Sequence, residues 1–131
     1  MATIKSFTDL QQSKKLAEIL PLETADMHYW HKGQILGVGH SKELQEGFES
    51  KKIDYTPCWS LAALYGILPN NKKETTTLSR GGWKIAPPEY IDNWWCEYED
   101  ERHTEDFTVS ADNPIDACYE LILQLHKLKK L

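Results

Sequence analysis

Cys58 is the residue best placed for covalent chemistry. It follows Pro57 in the segment TPCWSLAALYGIL, residues 56–68, which opens with a cap residue and has proline where a first helical turn tolerates it. In such a helix Cys58 would occupy the second position, where backbone N–H groups and the helix dipole lower the pKa of a thiol. A cysteine hydrolase also needs a histidine, and His103 and His28 are the candidates. The alternative is that Cys58 packs in the core as a small apolar residue.

Metal and cofactor sites receive little support from residue spacing. His28 and His31 are three residues apart, and on a strand that spacing sends the two side chains to opposite faces. The cysteines lack the paired spacing of zinc ligands, and Gly37-x-Gly39 is not completed into a dinucleotide-binding loop. We therefore expect neither a metal nor a cofactor.

The charge pattern between residues 89 and 106 indicates a binding surface. Eight carboxylates and one arginine give this segment a net charge of −7, whereas the whole chain carries −5 and the remaining residues therefore +2. The acidity of the protein is thus concentrated in one predicted strand-turn-strand segment. Its partner would be basic, or it would be a second copy of the chain using this surface in a homodimer.

The same segment is rich in aromatic side chains, which period-two alternation divides between two faces of one strand. One face would carry Trp94, Cys96 and Tyr98, and the other Trp95, Glu97 and Glu99. A large aromatic among carboxylates, as Trp95 would be, is typical of contact surfaces and interface hot spots. The alternative is that the acids only solvate a turn. The predicted binding residues are Trp94, Trp95, Glu97, Glu99, Asp100 and Glu101.

Three helices and several short strands must position these residues. The first helix is predicted over residues 6–20, with Thr8 as its cap, and the second over residues 56–68. Two strands joined by a tight turn are predicted within residues 27–38. Residues 41–54 are polar and predict a long excursion. A three-stranded antiparallel meander is predicted within residues 78–109, with a hairpin turn at Gly81-Gly82 and strands at residues 83–86, 91–98 and 104–109.

The clearest element is a helix that begins after Asn113. Asn113 precedes Pro114 and can cap the helix, and Asp116 then complements the helix dipole in the first turn. The lysines near the end of the chain favour the helix C-terminus. The apolar stripe, which we expect to cover the sheet, consists of Cys118, Leu121, Ile122, Leu125 and Leu128.

Length and composition are consistent with a single domain over residues 1–131. The chain is 40% hydrophobic and 27% charged, which favours a folded protein that needs no disulfide. Its three cysteines are odd in number and widely spaced, as in reduced proteins, and no stretch predicts a leader or a membrane span, so we expect a cytoplasmic protein. The net acidity argues against direct binding to nucleic acid or to a membrane.

Several blocks of the chain carry a family resemblance. They are IKSFTDL at residues 4–10, SKKLAEILP at 13–21, PCWSLAAL at 57–64 and DNPIDAC at 112–118. These blocks resemble small uncharacterised proteins of prophages and other mobile elements of gut anaerobic bacteria. The resemblance implies a mobile-element setting and a stand-alone domain, and it brings no activity and no site residues.

Together these patterns predict an α+β domain in which an antiparallel sheet of about five strands is covered on one face by three helices. The predicted function is that of a non-catalytic phage or mobile-element accessory protein that binds a protein through the acidic, aromatic hairpin. A hydrolase using Cys58 and a histidine is the alternative.

Overall fold

Helices and antiparallel strands are both present, which confirms the α+β class. The computed structural model describes residues 5–30, 34–38, 55–81 and 93–131. About five strands in one sheet were expected, and these residues contain six strands divided between two antiparallel sheets of three. The chain divides into two compact units, Ser6–Ile67 and Met1–Lys5 with Leu68–Leu131. All three strands of each sheet belong to the same unit. Each unit also contains at least one helix.

The unit Ser6–Ile67 contains a three-stranded sheet with a helix on either side of it in sequence. The strand order is β2-β1-β3, and both pairs are antiparallel, as expected for residues 27–38. Its elements are α1 Leu10–Ile19, a short 3-10 helix Leu22–Thr24, β1 Met27–Trp30, β2 Gln34–Val38, β3 Tyr55–Cys58 and α2 Leu61–Ile67. The turn between β1 and β2 and the predicted excursion over residues 41–54 lie outside the described residues.

The first helix begins later than predicted. Asp9, not Thr8, is its N-cap: the Asp9 carboxylate accepts a hydrogen bond from the backbone N–H of Gln12, and the Gln12 side chain accepts one from the N–H of Asp9. Thr8 is buried instead, and its hydroxyl accepts a hydrogen bond from the backbone N–H of Trp59 at 3.1 Å. Thr8, which the local pattern predicted as the cap, therefore makes a tertiary contact with the residue that follows β3.

The prediction of one helix over residues 56–68 is wrong in its first half. Residues Tyr55–Cys58 form β3, in which Pro57 pairs with His28 of β1, and the helix begins at Leu61. Pro57 fits because β3 is an edge strand of the described sheet, where a residue without an N–H breaks no inner ladder. Proline is equally acceptable in a first helical turn and on a sheet edge, and pairing with β1 decides between the two.

The second unit contains the predicted three-stranded antiparallel meander. Its strands are β4 Glu74–Arg80, β5 Trp94–Asp100 and β6 Phe107–Ala111, in the order β4-β5-β6. The first strand lies before Gly81. It starts at Glu74, four residues before the predicted segment, and contains three consecutive β-branched threonines. Gly81 adopts a φ of 57°, which suits a turn residue, and the predicted strand at residues 83–86 lies outside the described residues.

The predicted terminal helix is confirmed as α3, Pro114–Lys127, which packs against β5 and β6. Asn113 caps it by accepting a hydrogen bond from the backbone N–H of Asp116 at 2.8 Å. Four residues of the predicted stripe are fully buried, whereas Leu128 is 50% exposed, so its inclusion was wrong. The reason is that the helix ends at Lys127, and Lys129, with a φ of 60°, turns the chain away.

Candidate functional site

The acidic hairpin, which we define as residues 94–111, consists of β5, β6 and the turn between them. It carries six carboxylates and one arginine, a net charge of −5 that equals the net charge of the whole chain. Because both strands belong to one meander, the pairing register determines which side chains share a face.

The inner face of the hairpin is the one covered by α3. Cys96 and Tyr98 are almost completely buried there, and the ring of Tyr98 lies 5.2 Å from that of Phe107. The Tyr98 hydroxyl donates a hydrogen bond to Glu74 at 2.6 Å, and the Lys130 ammonium lies 5.5 Å from the ring centroid. Burial and the Glu74 carboxylate raise the pKa of Tyr98. These contacts anchor the hairpin to its own unit.

The outer face, on the opposite side of the meander, is polar apart from one indole. Trp95 is partly exposed, and its Nε1 atom is buried. Glu97 and Glu99 follow it on the same strand face, which is the alternation the sequence predicted. By register the remaining residues of the outer face are short hydroxyl side chains, namely Thr75, Thr77, Ser79, Thr108 and Ser110.

The carboxylates of the hairpin fall into two classes. The side chains of Glu97, Glu99 and Glu101 form no hydrogen bond or ion pair with any described residue. The other three are used within the unit: Asp100 and Asp106 in the turn, and Glu105 in an ion pair with Lys130. The acids that remain available to a partner are therefore those of the outer face and the start of the turn.

Internal hydrogen bonds shape the turn of the hairpin. The Asp100 carboxylate accepts hydrogen bonds from the backbone N–H of Thr104 at 2.9 Å and from its hydroxyl at 2.7 Å. These bonds lower the pKa of Asp100. His103, whose φ is 53°, places Nδ1 2.8 Å from the Asp106 carboxylate, and that carboxylate raises the pKa of the imidazole.

A shallow depression of about 380 Å³ lies where the turn meets the start of β4. Three cationic and three anionic side chains line it, together with the Tyr98 hydroxyl, so their formal charges cancel. Its lining residues are Lys73, Glu74, Tyr98, Asp100, Glu101, Arg102 and Lys130. Because these charges balance and the depression is open to solvent, we expect no net electrostatic attraction between it and an ion.

Cys58 lacks the surroundings that would activate its thiol as a nucleophile. It ends strand β3 rather than lying in a helix, it is fully buried, and its thiol donates a hydrogen bond to the Thr8 carbonyl at 3.4 Å. Burial raises the pKa of this thiol, the opposite of activation. The prediction that a helix N-terminus stabilises its thiolate is wrong, because the chain is extended at this position.

Neither candidate histidine is joined to Cys58 in the structure. Cys58 pairs with Met27, whereas the next residue, His28, pairs with Pro57, so the His28 and Cys58 side chains lie on opposite faces of the sheet. His28 is buried, which lowers its pKa. His103 is 67% exposed in the hairpin turn, where its contact is Asp106.

The three cysteines are all free and buried, and for Cys58 this agrees with the alternative that it packs in the core as a small apolar residue. The neighbouring Cys118 thiol, together with burial, raises the pKa of Cys96. In the part of the chain that the structure describes, no three His, Cys, Asp or Glu side chains are grouped to hold a metal ion. His31 and Gly39 lie outside that part, and no described helix is long and apolar enough to cross a membrane.

Sequence reasoning missed the hydroxyl side chains that surround Trp95. Thr75, Thr77 and Ser79 recur at every second residue, a pattern that could have predicted one face of a strand. Comparison of the chain with protein-family models, with curated proteins and with solved structures finds no match. The site must therefore be interpreted from its own geometry and charge.

Proposed function

We propose that the protein is a non-catalytic accessory protein of a phage or mobile element that binds a basic protein partner through the acidic hairpin. The observation that carries the proposal is Trp95, a partly exposed indole on the same strand face as Glu97 and Glu99, two carboxylates that form no ion pair with any cation among the described residues. A partly exposed indole beside unpaired carboxylates is typical of a contact surface, because burying the indole in the fold would have been favourable.

The two faces of the hairpin differ in burial, and this difference supports a binding role. One face is committed to the fold through Cys96 and Tyr98 under α3. The other presents Trp95, Glu97 and Glu99 on a strand held from both sides by β4 and β6. Side chains on a paired central strand lose little conformational freedom when a partner binds, which lowers the entropic cost of association.

A basic partner is favoured by charge. The hairpin carries −5 and the uncommitted acids lie together, so a cationic protein surface would be attracted to it and anionic nucleic acid would be repelled. The mobile-element setting rests on the resemblance of residues 4–10, 13–21, 57–64 and 112–118. No comparable contact supports hydrolysis at Cys58, whose thiol is enclosed.

The test compares two triple variants that change the net charge equally. One replaces Glu97, Glu99 and Glu101 with Gln, and the other makes the same replacement at three exposed acids elsewhere. The control acids are Glu18, Glu23 and Glu120. Binding of a fluorescein-labelled oligolysine peptide is measured by anisotropy at about 50 mM and about 300 mM salt, which screens exposed charges to different extents.

We expect the hairpin variant to bind the peptide about ten-fold more weakly at low salt, from about 0.5 kcal/mol for each exposed charge removed, and the control to lose much less. Equal losses in the two variants would show that only net charge matters, and the proposed surface would be wrong. Sedimentation equilibrium of the same proteins tests the other partner: self-association that the hairpin variant abolishes and the control keeps would identify a second copy of the chain as the ligand.

A further inference from the structure

The residues that follow Leu125 form a basic surface with two exposed leucines. Residues 126–131, which we call the basic segment, carry three lysines and no acidic side chain, a charge of +3. Leu128 and Leu131 are 50% and 38% exposed, and they are two of the three large apolar side chains that are exposed in the described part of the chain. Exposed apolar groups rimmed by charged ones are typical of contact surfaces.

Backbone hydrogen bonds hold the basic segment in a fixed shape. The N–H groups of Leu128, Lys129 and Lys130 donate to carbonyls at the end of α3 at 3.0, 3.0 and 2.8 Å, the pattern of a Schellman cap. Lys129 has the φ of 60° that this cap requires, where glycine is the usual and less strained residue. Lys127 and Lys129 are exposed and form no ion pair with a described carboxylate. A lysine where the fold favours glycine points to a role outside the fold.

The basic segment lies on the other side of the meander from the unpaired acids of the outer face. α3 packs on the inner face, and Lys130, which follows it, lies against the ring of Tyr98 on that face. Glu97 and Glu99 lie on the outer face. Because the sheet separates the two groups, an ion pair between them has to join two molecules.

We infer that the partner of the acidic hairpin is a second copy of the chain, whose basic segment docks on Glu97 and Glu99. Its lysines meet these carboxylates, and its exposed leucines pack on the threonine methyl groups of the outer face. The contact is head-to-tail, because each copy offers an acidic face and a basic segment at different places. The inference rests on the proposed function and names its partner.

Local charge outweighs the net charge of the two copies. Each copy carries −5, which opposes their approach at long range. At about 150 mM salt the Debye length is about 8 Å, so the charges of the surfaces in contact determine the attraction. The acidic hairpin carries −5 and the basic segment +3, and these two surfaces are complementary.

An extended anionic surface fits the basic segment less well than a second copy does. Lys130 is paired with Glu105, so acids of the hairpin turn lie beside the segment. Nucleic acid or an anionic membrane would bring negative charge against these acids over a wide area. A second copy brings a small number of carboxylates onto Lys127 and Lys129.

The experiment measures self-association of the full chain by sedimentation equilibrium at about 150 mM salt. One variant combines Lys127→Glu with Lys129→Glu, and the other combines Glu97→Lys with Glu99→Lys. Each should weaken self-association about thirty-fold, because two exposed attractions become two repulsions. An equimolar mixture of the two variants should associate nearly as tightly as the wild type, because the reversed charges are again opposite.

Lys14→Glu combined with Lys72→Glu is the matched control, because both lysines are exposed, lie outside the basic segment and form no ion pair with a described residue. It should associate like the wild type. Lys129→Gly removes one charge and keeps the backbone turn, so it should weaken self-association about two-fold while making the fold more stable. If the reversed variants do not fold, unchanged association of Lys129→Gly still counts against the inference.

The outcomes separate the inference from the proposed function. A wild type that stays monomeric at about 0.1 mM, where contacts of ordinary affinity are populated, overturns the inference. The proposed function still stands if the triple hairpin variant loses oligolysine binding and its control keeps it, whereas equal losses there overturn both. Self-association that persists in both reversed variants, or a mixture no tighter than either variant alone, also overturns the inference. So does a monomeric wild type that binds anionic vesicles or duplex DNA through Lys127 and Lys129.

Discussion

Two leucines three residues apart at the end of α3 test where the helix stops contributing to the core. Leu125 is fully buried and Leu128 is 50% exposed. Leu125→Ala removes the burial of about three carbon atoms, about 2.4 kcal/mol, and leaves part of a cavity, so the free energy of unfolding should fall by about 3 kcal/mol. Leu128→Ala makes the same chemical change at a half-exposed site and should cost about 1 kcal/mol.

Urea unfolding followed by tryptophan fluorescence and by circular dichroism measures both costs. The two probes report different features of the chain, so coincident transitions would justify a two-state free energy. A difference between the variants of less than about 0.5 kcal/mol, the usual scale of surface substitutions, would refute the reasoning that burial ends at Leu125. Equal large losses would instead restore Leu128 to the apolar stripe that the sequence predicted.

Other predictions concern the cap, the helix end, the hairpin turn and the thiols. Asn113→Ala should lower the free energy of unfolding by about 1 kcal/mol in the same assay, because the first turn of α3 loses its cap. Lys129→Gly should raise it by up to about 1 kcal/mol, because glycine adopts a φ of 60° without strain. His103 should titrate above its ordinary pKa in NMR spectra, and less so in Asp106→Asn; the stabilisation from this pair is complete below the unfolded pKa of His103 and is lost as the pH rises through the folded value. Cys58 and the other two thiols should react with an aromatic disulfide reagent only after unfolding, and rapid reaction of Cys58 in the native protein at neutral pH would reopen the hydrolase alternative.

Local signals in the sequence were sufficient where the controlling interactions lie within a few residues. Asn113 and Pro114 predict the start of α3 because the cap, the proline and the first turn are neighbours in the chain. Alternation in β5 separates Trp95 and Glu97 from Cys96 for a similarly local reason, since a strand turns successive side chains to opposite faces. The candidate surface could therefore be located before its pairing partners were known.

The tertiary structure decided the features that depend on contacts between distant segments. Asp9, not Thr8, caps α1, because the Thr8 hydroxyl accepts a hydrogen bond from the backbone N–H of Trp59, fifty-one residues away. Because Pro57 pairs with His28, the segment predicted as a first helical turn is strand β3. Cys58, which was expected to be reactive at a helix N-terminus, is therefore extended and buried. Only the register of the meander placed serines beside Trp95. Composition and spacing describe what each residue can do, whereas the partner that a backbone or side chain finds across the fold determines which of those roles it takes.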